Sequence, residues 1–159
     1  AMERLWAPWR MQYVEDPAPP GCFFCAAAVT DDDARLLVVV RDAHSVTMLN
    51  KYPYGLGHLL VAPRAHVPSP EDLPDQAYDG LMHAVRRAAR ALRAAFSPEG
   101  MNVGMNLGRA AGAGVAEHCH WHLLPRWTGD TNFMPLIGDV KVMSEHLEAT
   151  RTRVRAHYA

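Results

Sequence analysis

The sequence predicts an α+β domain, a five-stranded antiparallel sheet carrying one long helix and a C-terminal helix. Three observations predict it. Five short runs have strand character, and most are neighbours along the chain, which favours antiparallel pairing. One long segment of helical period lies between the third and fourth runs, whereas a parallel sheet needs a helix after nearly every strand. The chain has 159 residues, and a chain of that size buries roughly 68–70% of its unfolded surface as one domain. A single domain is therefore expected over residues 22–159, preceded by an arm and connector over residues 1–21.

Taken in order, Trp6, Trp9 and Tyr13 precede Pro17, Pro19, Pro20 and Gly21, the pattern of an aromatic arm on a stiff connector. Leu36 to Val40, Ser45 to Asn50 and His58 to Ala62 read as strands, with Tyr52 to Gly57 a Pro/Gly loop between the last two. The prolines between Pro63 and Asp75 exclude a central strand there, while Pro74 suits the first turn of a helix. Leu81, Val85, Ala88, Leu92 and Phe96 then recur at helical spacing, with Arg86, Arg87, Arg90 and Arg93 mostly off that stripe. Ser97-Pro98-Glu99-Gly100 ends the helix. Met101 to Leu107 and His118 to Leu124 are the last two strands, and a C-terminal helix is expected from near Asp139 to Arg155, with Met143, Leu147 and Val154 on its apolar side.

Composition narrows the function. With 49% hydrophobic and 21% charged residues and a formal net charge of −1, the chain suggests neither disorder nor a surface that coats polyanions. No apolar stretch approaches the roughly 20 residues that cross a bilayer, and the N-terminus shows no apolar leader, so a cytoplasmic location is expected. Three cysteines make no even disulfide framework, and Cys22-Phe23-Phe24-Cys25 has metal or redox spacing in a reducing compartment.

The chemistry gathers at His118-Cys119-His120-Trp121-His122. Strand alternation puts all three histidines on one face and Cys119 and Trp121 on the other. A chance row of histidines is the bland alternative. A three-histidine zinc centre is disfavoured, because His118 and His122 would lie about 14 Å apart along a strand, at the limit of what two imidazoles can span to one ion. An extended anion such as a phosphate chain suits the row better, and Ala110-Ala111-Gly112-Ala113-Gly114-Val115 is bare enough for backbone N–H groups to approach phosphate oxygens.

His118-Cys119-His120-Trp121-His122-Leu123-Leu124-Pro125-Arg126 resembles the signature of the histidine triad (HIT) superfamily of nucleotide hydrolases and transferases. Asn50 to His58, Pro63-Arg64-Ala65-His66, Asn102 to Asn106 and the Ala-Gly-Ala-Gly-Val run strengthen the resemblance, which spans about residues 20–127. The flanking words Leu5 to Met11 and Trp127 to Pro135 look like the branch that holds bacterial diadenosine tetraphosphate phosphorylases, near the fragile-histidine-triad enzymes. The resemblance implies a HIT-like fold, His120 as nucleophile, and His122 near the phosphate and scissile oxygen. It further implies Asn106 as a phosphate donor, Asn50 on the ribose, and backbone N–H groups around Gly112, Ala113, Gly114 and Val115 as a cradle. For Asn50, closing a turn at a strand end is an equal alternative. Keeping His122 disfavours the uridylyltransferase branch, which has glutamine there.

Cys22 and Cys25 need two more ligands for a closed zinc site, and His66 and His118 are the candidates. Some family members resemble this layout, which would make His118 structural; two buried small hydrophobes beside phenylalanines is the alternative. The expected activity is cleavage of a diadenosine polyphosphate at the α-phosphate through a nucleotidyl-histidine, with water or inorganic phosphate as second acceptor and no organic cofactor. The rivals are a purine-nucleotide-binding module, a nucleoside phosphoramidate hydrolase of the same superfamily, and a metal-dependent hydrolase. The resemblance also implies a homodimer with joined sheets, for which the long helix is available as an interface. No nucleic-acid or membrane partner is expected.

Overall fold

The computed structural model describes residues 21–130 and 143–158. The expected aromatic arm lies outside the described residues up to position 20, as does the start of the expected C-terminal helix.

The C-x-x-C opens a helix that its spacing alone did not announce. Cys22 stands at the N-cap of α1 (Phe23–Val29), whose three consecutive alanines favour helix. Two arginines hold its C-terminal carbonyls, which a helix leaves without internal partners. Arg41 donates to Ala27 O at 2.6 Å and to Thr30 O at 2.5 Å, and Arg64 donates to Ala28 O at 2.9 Å.

Strands β1 (Val38–Arg41), β2 (Ser45–Leu49) and β3 (Leu59–Pro63) follow. The first starts two residues later than the Leu36 expected, because Leu37 has a left-handed φ of 56° and breaks the extended run. Helix α2 (Asp75–Phe96) begins just after Pro74 and ends on Ser97, in the left-handed region, whose N–H reaches Arg93 O. Strand β4 (Gly100–Met105) and strand β5 (Trp121–Arg126) complete a sheet of order β1-β2-β3-β5-β4, every neighbouring pair antiparallel.

The last strand is shorter at its start than the sequence suggests. Its ladder begins at Trp121, since the Cys119 N–H is taken by Val67 O at 2.8 Å. Helix α3 (Leu147–Arg155) begins later than Asp139, residues 143–146 being non-helical.

The sheet is covered on both faces, so β2 and β3 are buried along their whole length and read as near-continuous apolar runs. One face packs Val39, Leu49, Leu59, Val61 and Leu123 under Leu81, Val85, Ala88 and Leu92 of α2 and Val154 of α3. The other packs Val38, Val46, Met48, Leu60 and Ala62 against Phe24 and Ala27 of α1. Two glycines allow this packing. Gly57, at φ +73°, turns the chain into β3 against Leu92, Phe96 and Pro125, and Gly80 lets α2 lie directly on His44.

Candidate active site

Cross-strand register decides which side chains meet. His122 pairs with Leu60, so it lies on the α1 face of the sheet. His58, two residues before Leu60 and immediately before β3, shares that face and is the diagonal neighbour of His122. Gly104 of β4 pairs with His122, which places Asn106 one step further along, beside His120.

The backbone fixes the protonation of these rings. The Tyr54 N–H donates to His58 Nδ1 at 3.0 Å, so the His58 proton is on Nε2, from which it is donated to His122 Nδ1 at 2.9 Å. His122 therefore carries its own proton on Nε2 and presents a donor. Next to it, His120 donates from Nδ1 to His118 O at 2.9 Å, which leaves its Nε2 as a bare lone pair. The two rings are 4.9 Å apart between centroids, and Phe24, fully buried, lies 4.7 Å from His120.

Burial keeps the row neutral. It lowers the His120 pKa against the raising effect of the bond to His118 O, and burial together with His120 pushes His122 down to about 4. A neutral nucleophile with its lone pair outward and a neutral donor beside it can operate at physiological pH. Tyr54, 59% exposed, stands over this pair, its ring 4.7 Å from His58 and 6.0 Å from His122.

His118 faces the other way along the row and is fully buried. Its Nε2–H donates to Pro63 O at 2.9 Å, so Nδ1 is unprotonated. That nitrogen lies 3.2 Å from His66 Nδ1, 3.3 Å from Cys22 Sγ and 3.6 Å from Cys25 Sγ, while Cys25 Sγ is 3.3 Å from His66 Nδ1. All four ligand atoms fall within 4.8 Å of one another. Tetrahedral zinc with two nitrogen and two sulfur ligands requires edges of about 3.3–3.8 Å, so the four expected residues fit a closed structural site. Burial and the neighbouring Cys22 push the Cys25 thiol up, a cost that a cation between the two sulfurs removes. Cys119 points away from this set, buried, with its thiol pushed up to about 11, and behaves as core.

The remaining expected residues are placed as follows. Asn50 closes its loop, accepting from the Tyr52 N–H at 2.9 Å, with its amide nitrogen 3.4 Å from His58 Nδ1. Asn106 abuts Gly112, whose φ is +89°. In the Gly/Ala loop the Gly112 N–H is turned inward to Arg109 O and the Ala113 N–H to Gly108 O, whereas Gly114 and Val115 offer N–H groups with no backbone partner among the described residues. Val115 packs against the cluster around Phe24, so the loop lies over the α1 face.

His58 is the side chain of this candidate site that sequence reasoning left without a role. It stood inside a quoted motif, but only the β3–β5 register shows that it meets His122. The available signal was a histidine opening an otherwise apolar strand, on the same face as Leu60 and Ala62.

Comparison with known proteins shows the family. A model of the HIT domain matches residues 33–129. The chain is 39% identical over 168 aligned positions to AP-4-A phosphorylase of Mycobacterium tuberculosis, covering 99% of this chain and 85% of that one. Among solved structures, a zinc-bound histidine triad family protein from Mycobacterium smegmatis superposes with a TM-score of 0.69 at 28% identity, covering 87% of this chain and 93% of that one. A hypothetical histidine triad nucleotide-binding protein from Sulfolobus tokodaii gives 0.68 at 26% identity, with 86% and 91% covered.

Proposed function

The chain belongs to the HIT domain family and processes nucleotides, and from that premise we propose that it is a diadenosine polyphosphate phosphorylase or hydrolase working through His120. The observation that carries the proposal is the His120 Nε2 lone pair, held outward by the Nδ1–H bond to His118 O, beside the Nε2–H of His122. Nε2 of His120 attacks the α-phosphorus, the P–O bond to the rest of the polyphosphate breaks, and the departing oxygen takes the electron pair. The His122 Nε2–H donates a hydrogen bond to that oxygen. An oxygen of water or inorganic phosphate then attacks the nucleotidyl-histidine, the P–N bond breaks, and His120 recovers its lone pair.

Asn106 and the N–H groups of Gly114 and Val115 are suited to donate to the phosphoryl oxygens as charge develops. The ribose falls to Asn50 in this scheme. Zinc held by Cys22, Cys25, His66 and His118 supplies structure and no chemistry at the phosphate, a role supported by the ligand spacing and by the zinc-bound relative. Two copies joined through β4, an edge strand with Val103 47% exposed, form the homodimer, whose test is the mass in solution by light scattering. Among the described residues no helix is long and apolar enough to cross a membrane.

The activity is tested by incubating the protein and a His120→Ala variant with diadenosine tetraphosphate, with and without inorganic phosphate, and separating the products. ADP plus ATP only with phosphate marks a phosphorylase, and AMP plus ATP regardless of phosphate a hydrolase. Turnover surviving in His120→Ala refutes the assignment.

A further inference from the structure

Several glycines of this fold have a mechanical reason to be glycine. Gly57 and Gly112 adopt positive φ, and a side chain on Gly55 or Gly80 would press on Leu124 or His44. Gly104 has neither reason. Its φ is ordinary, and a Cβ added there meets nothing within 4 Å. Glycine in the interior of a strand sacrifices order and packing, and in a sheet it commonly marks a place where something else comes close.

The register says where that place is. Gly104 is the direct partner of His122, and Asn102 the partner of Leu124. On the histidine face β4 therefore presents Asn102 and Gly104, and Asn106 follows just past its end, leaving a gap between two amides. His122 borders the gap. Its Nδ1 is taken by His58 on β3, and the two nitrogens of an imidazole point apart, so its Nε2–H faces away from β3 and toward the β4 side. At the far end of the gap Asn102 is steadied by Arg126, whose guanidinium donates to Asn102 Oδ1 at 2.9 Å.

We infer that the bare strip over Gly104 is the subsite for the departing half of the substrate, and that the missing side chain sets how large a leaving group the site accepts. The inference rests on the nucleotidyl-transfer reading above. The oxygen that receives the His122 hydrogen bond is the one that leaves, and whatever is attached beyond it passes over Gly104. A phosphate chain ending in a second nucleoside fills the strip; an amine leaving from the same α-phosphorus does not reach it.

The experiment compares Gly104→Ala and Gly104→Val with the unaltered protein on two substrates that share the adenylyl half. One is diadenosine tetraphosphate and the other adenosine 5′-phosphoramidate. The expected result is a graded fall in selectivity, with the valine variant losing at least about tenfold more kcat/KM on the tetraphosphate than on the phosphoramidate, equivalent to about 1.4 kcal/mol of discrimination. The thermal midpoint does not fall in Gly104→Ala, since its Cβ meets nothing within 4 Å and replacing a strand glycine restores order, so a selective loss on the tetraphosphate is not a folding effect. Parallel losses on both substrates, or no change on either, overturn the inference. Failure of the unaltered protein to turn over either substrate, with His120→Ala indistinguishable from it, overturns the underlying activity and the subsite together.

Discussion

Replacing His58 by phenylalanine isolates the bond that fixes His122. The ring shape is kept, while the acceptor for the Tyr54 N–H at 3.0 Å and the donor to His122 Nδ1 at 2.9 Å are both removed. His58 is fully buried, so its removal leaves the His122 Nδ1 without its partner in the protein interior. Leaving a buried polar group unpaired costs about 1–3 kcal/mol, which sets the expected loss of stability, read from a urea midpoint. The kinetic effect has a different origin. Without His58, His122 is free to place its proton on either nitrogen, and the Nε2–H donor toward the leaving oxygen is no longer enforced. A positioned proton donor contributes about 10²–10⁴-fold, so kcat is expected to fall by about 10²-fold on a phosphoramidate, whose amine must be protonated to leave. On a nitrophenyl ester of the same nucleotide, whose leaving group departs as a stable anion, the fall is expected to be several times smaller. Equal losses on the two substrates would refute the relay and reduce His58 to a packing residue.

Three further outcomes are expected. Stripping zinc with a chelator, or replacing Cys25 by serine, lowers stability by about 3 kcal/mol and Tm by about 6–12 °C, with the phosphoryl chemistry weakened through loss of order rather than loss of a Lewis acid; calorimetry with parallel metal analysis checks it. Because burial lowers the His120 pKa and pushes His122 down to about 4, the fall of kcat/KM toward acid is expected below the ordinary imidazole range near 6.5. The unfolded chain takes up the His122 proton first, so stability is full above about 6.5 and is lost between there and 4, by at most about 3 kcal/mol, read as urea midpoints across that window. Gly80→Ala would ordinarily gain about 1 kcal/mol of helix propensity, but its methyl runs into the His44 ring and Cβ. Overpacking of about 1–3 kcal/mol offsets that gain, so Tm falls; a rise would show that α2 can lift off the sheet.

The parts of the fold that were legible in the sequence are those where one periodicity acts alone. Helix α2 follows from the apolar stripe of Leu81, Val85, Ala88 and Leu92, all facing the same core. The strands were legible in number and order, but their ends were not. Leu37 adopts a positive φ that no residue type announces, and Cys119 gives its N–H to Val67, far away along the chain. The site divides the same way. Alternation predicted a shared face for His118, His120 and His122, although only His122 lies within β5, and C-x-x-C spacing nominated Cys22 and Cys25 as two of the four candidate zinc ligands. The link between His58 and His122 is a contact between strands, fixed by a register that only tertiary packing sets.

Those two halves of the site meet in one residue. The Nδ1 of His118 faces the Cys22, Cys25 and His66 ligand atoms of the candidate metal set, its Nε2–H is tied to Pro63 O, and its carbonyl holds the proton of His120 Nδ1. A ring anchored on both nitrogens cannot turn, and its carbonyl is thereby held in place for the neighbouring nucleophile. Helix α1 reaches the same point twice, through Cys22 and Cys25 on the metal set and through Phe24 against His120, while Arg41 and Arg64 hold its far end. Of the three histidines in the row, the one given no contact with substrate in the proposed mechanism is thus the one on which the orientation of His120 depends. In the proposed mechanism a short helix with no group at the phosphate is still part of the catalytic geometry, because removing it would free both the carbonyl and the ring packed around His120.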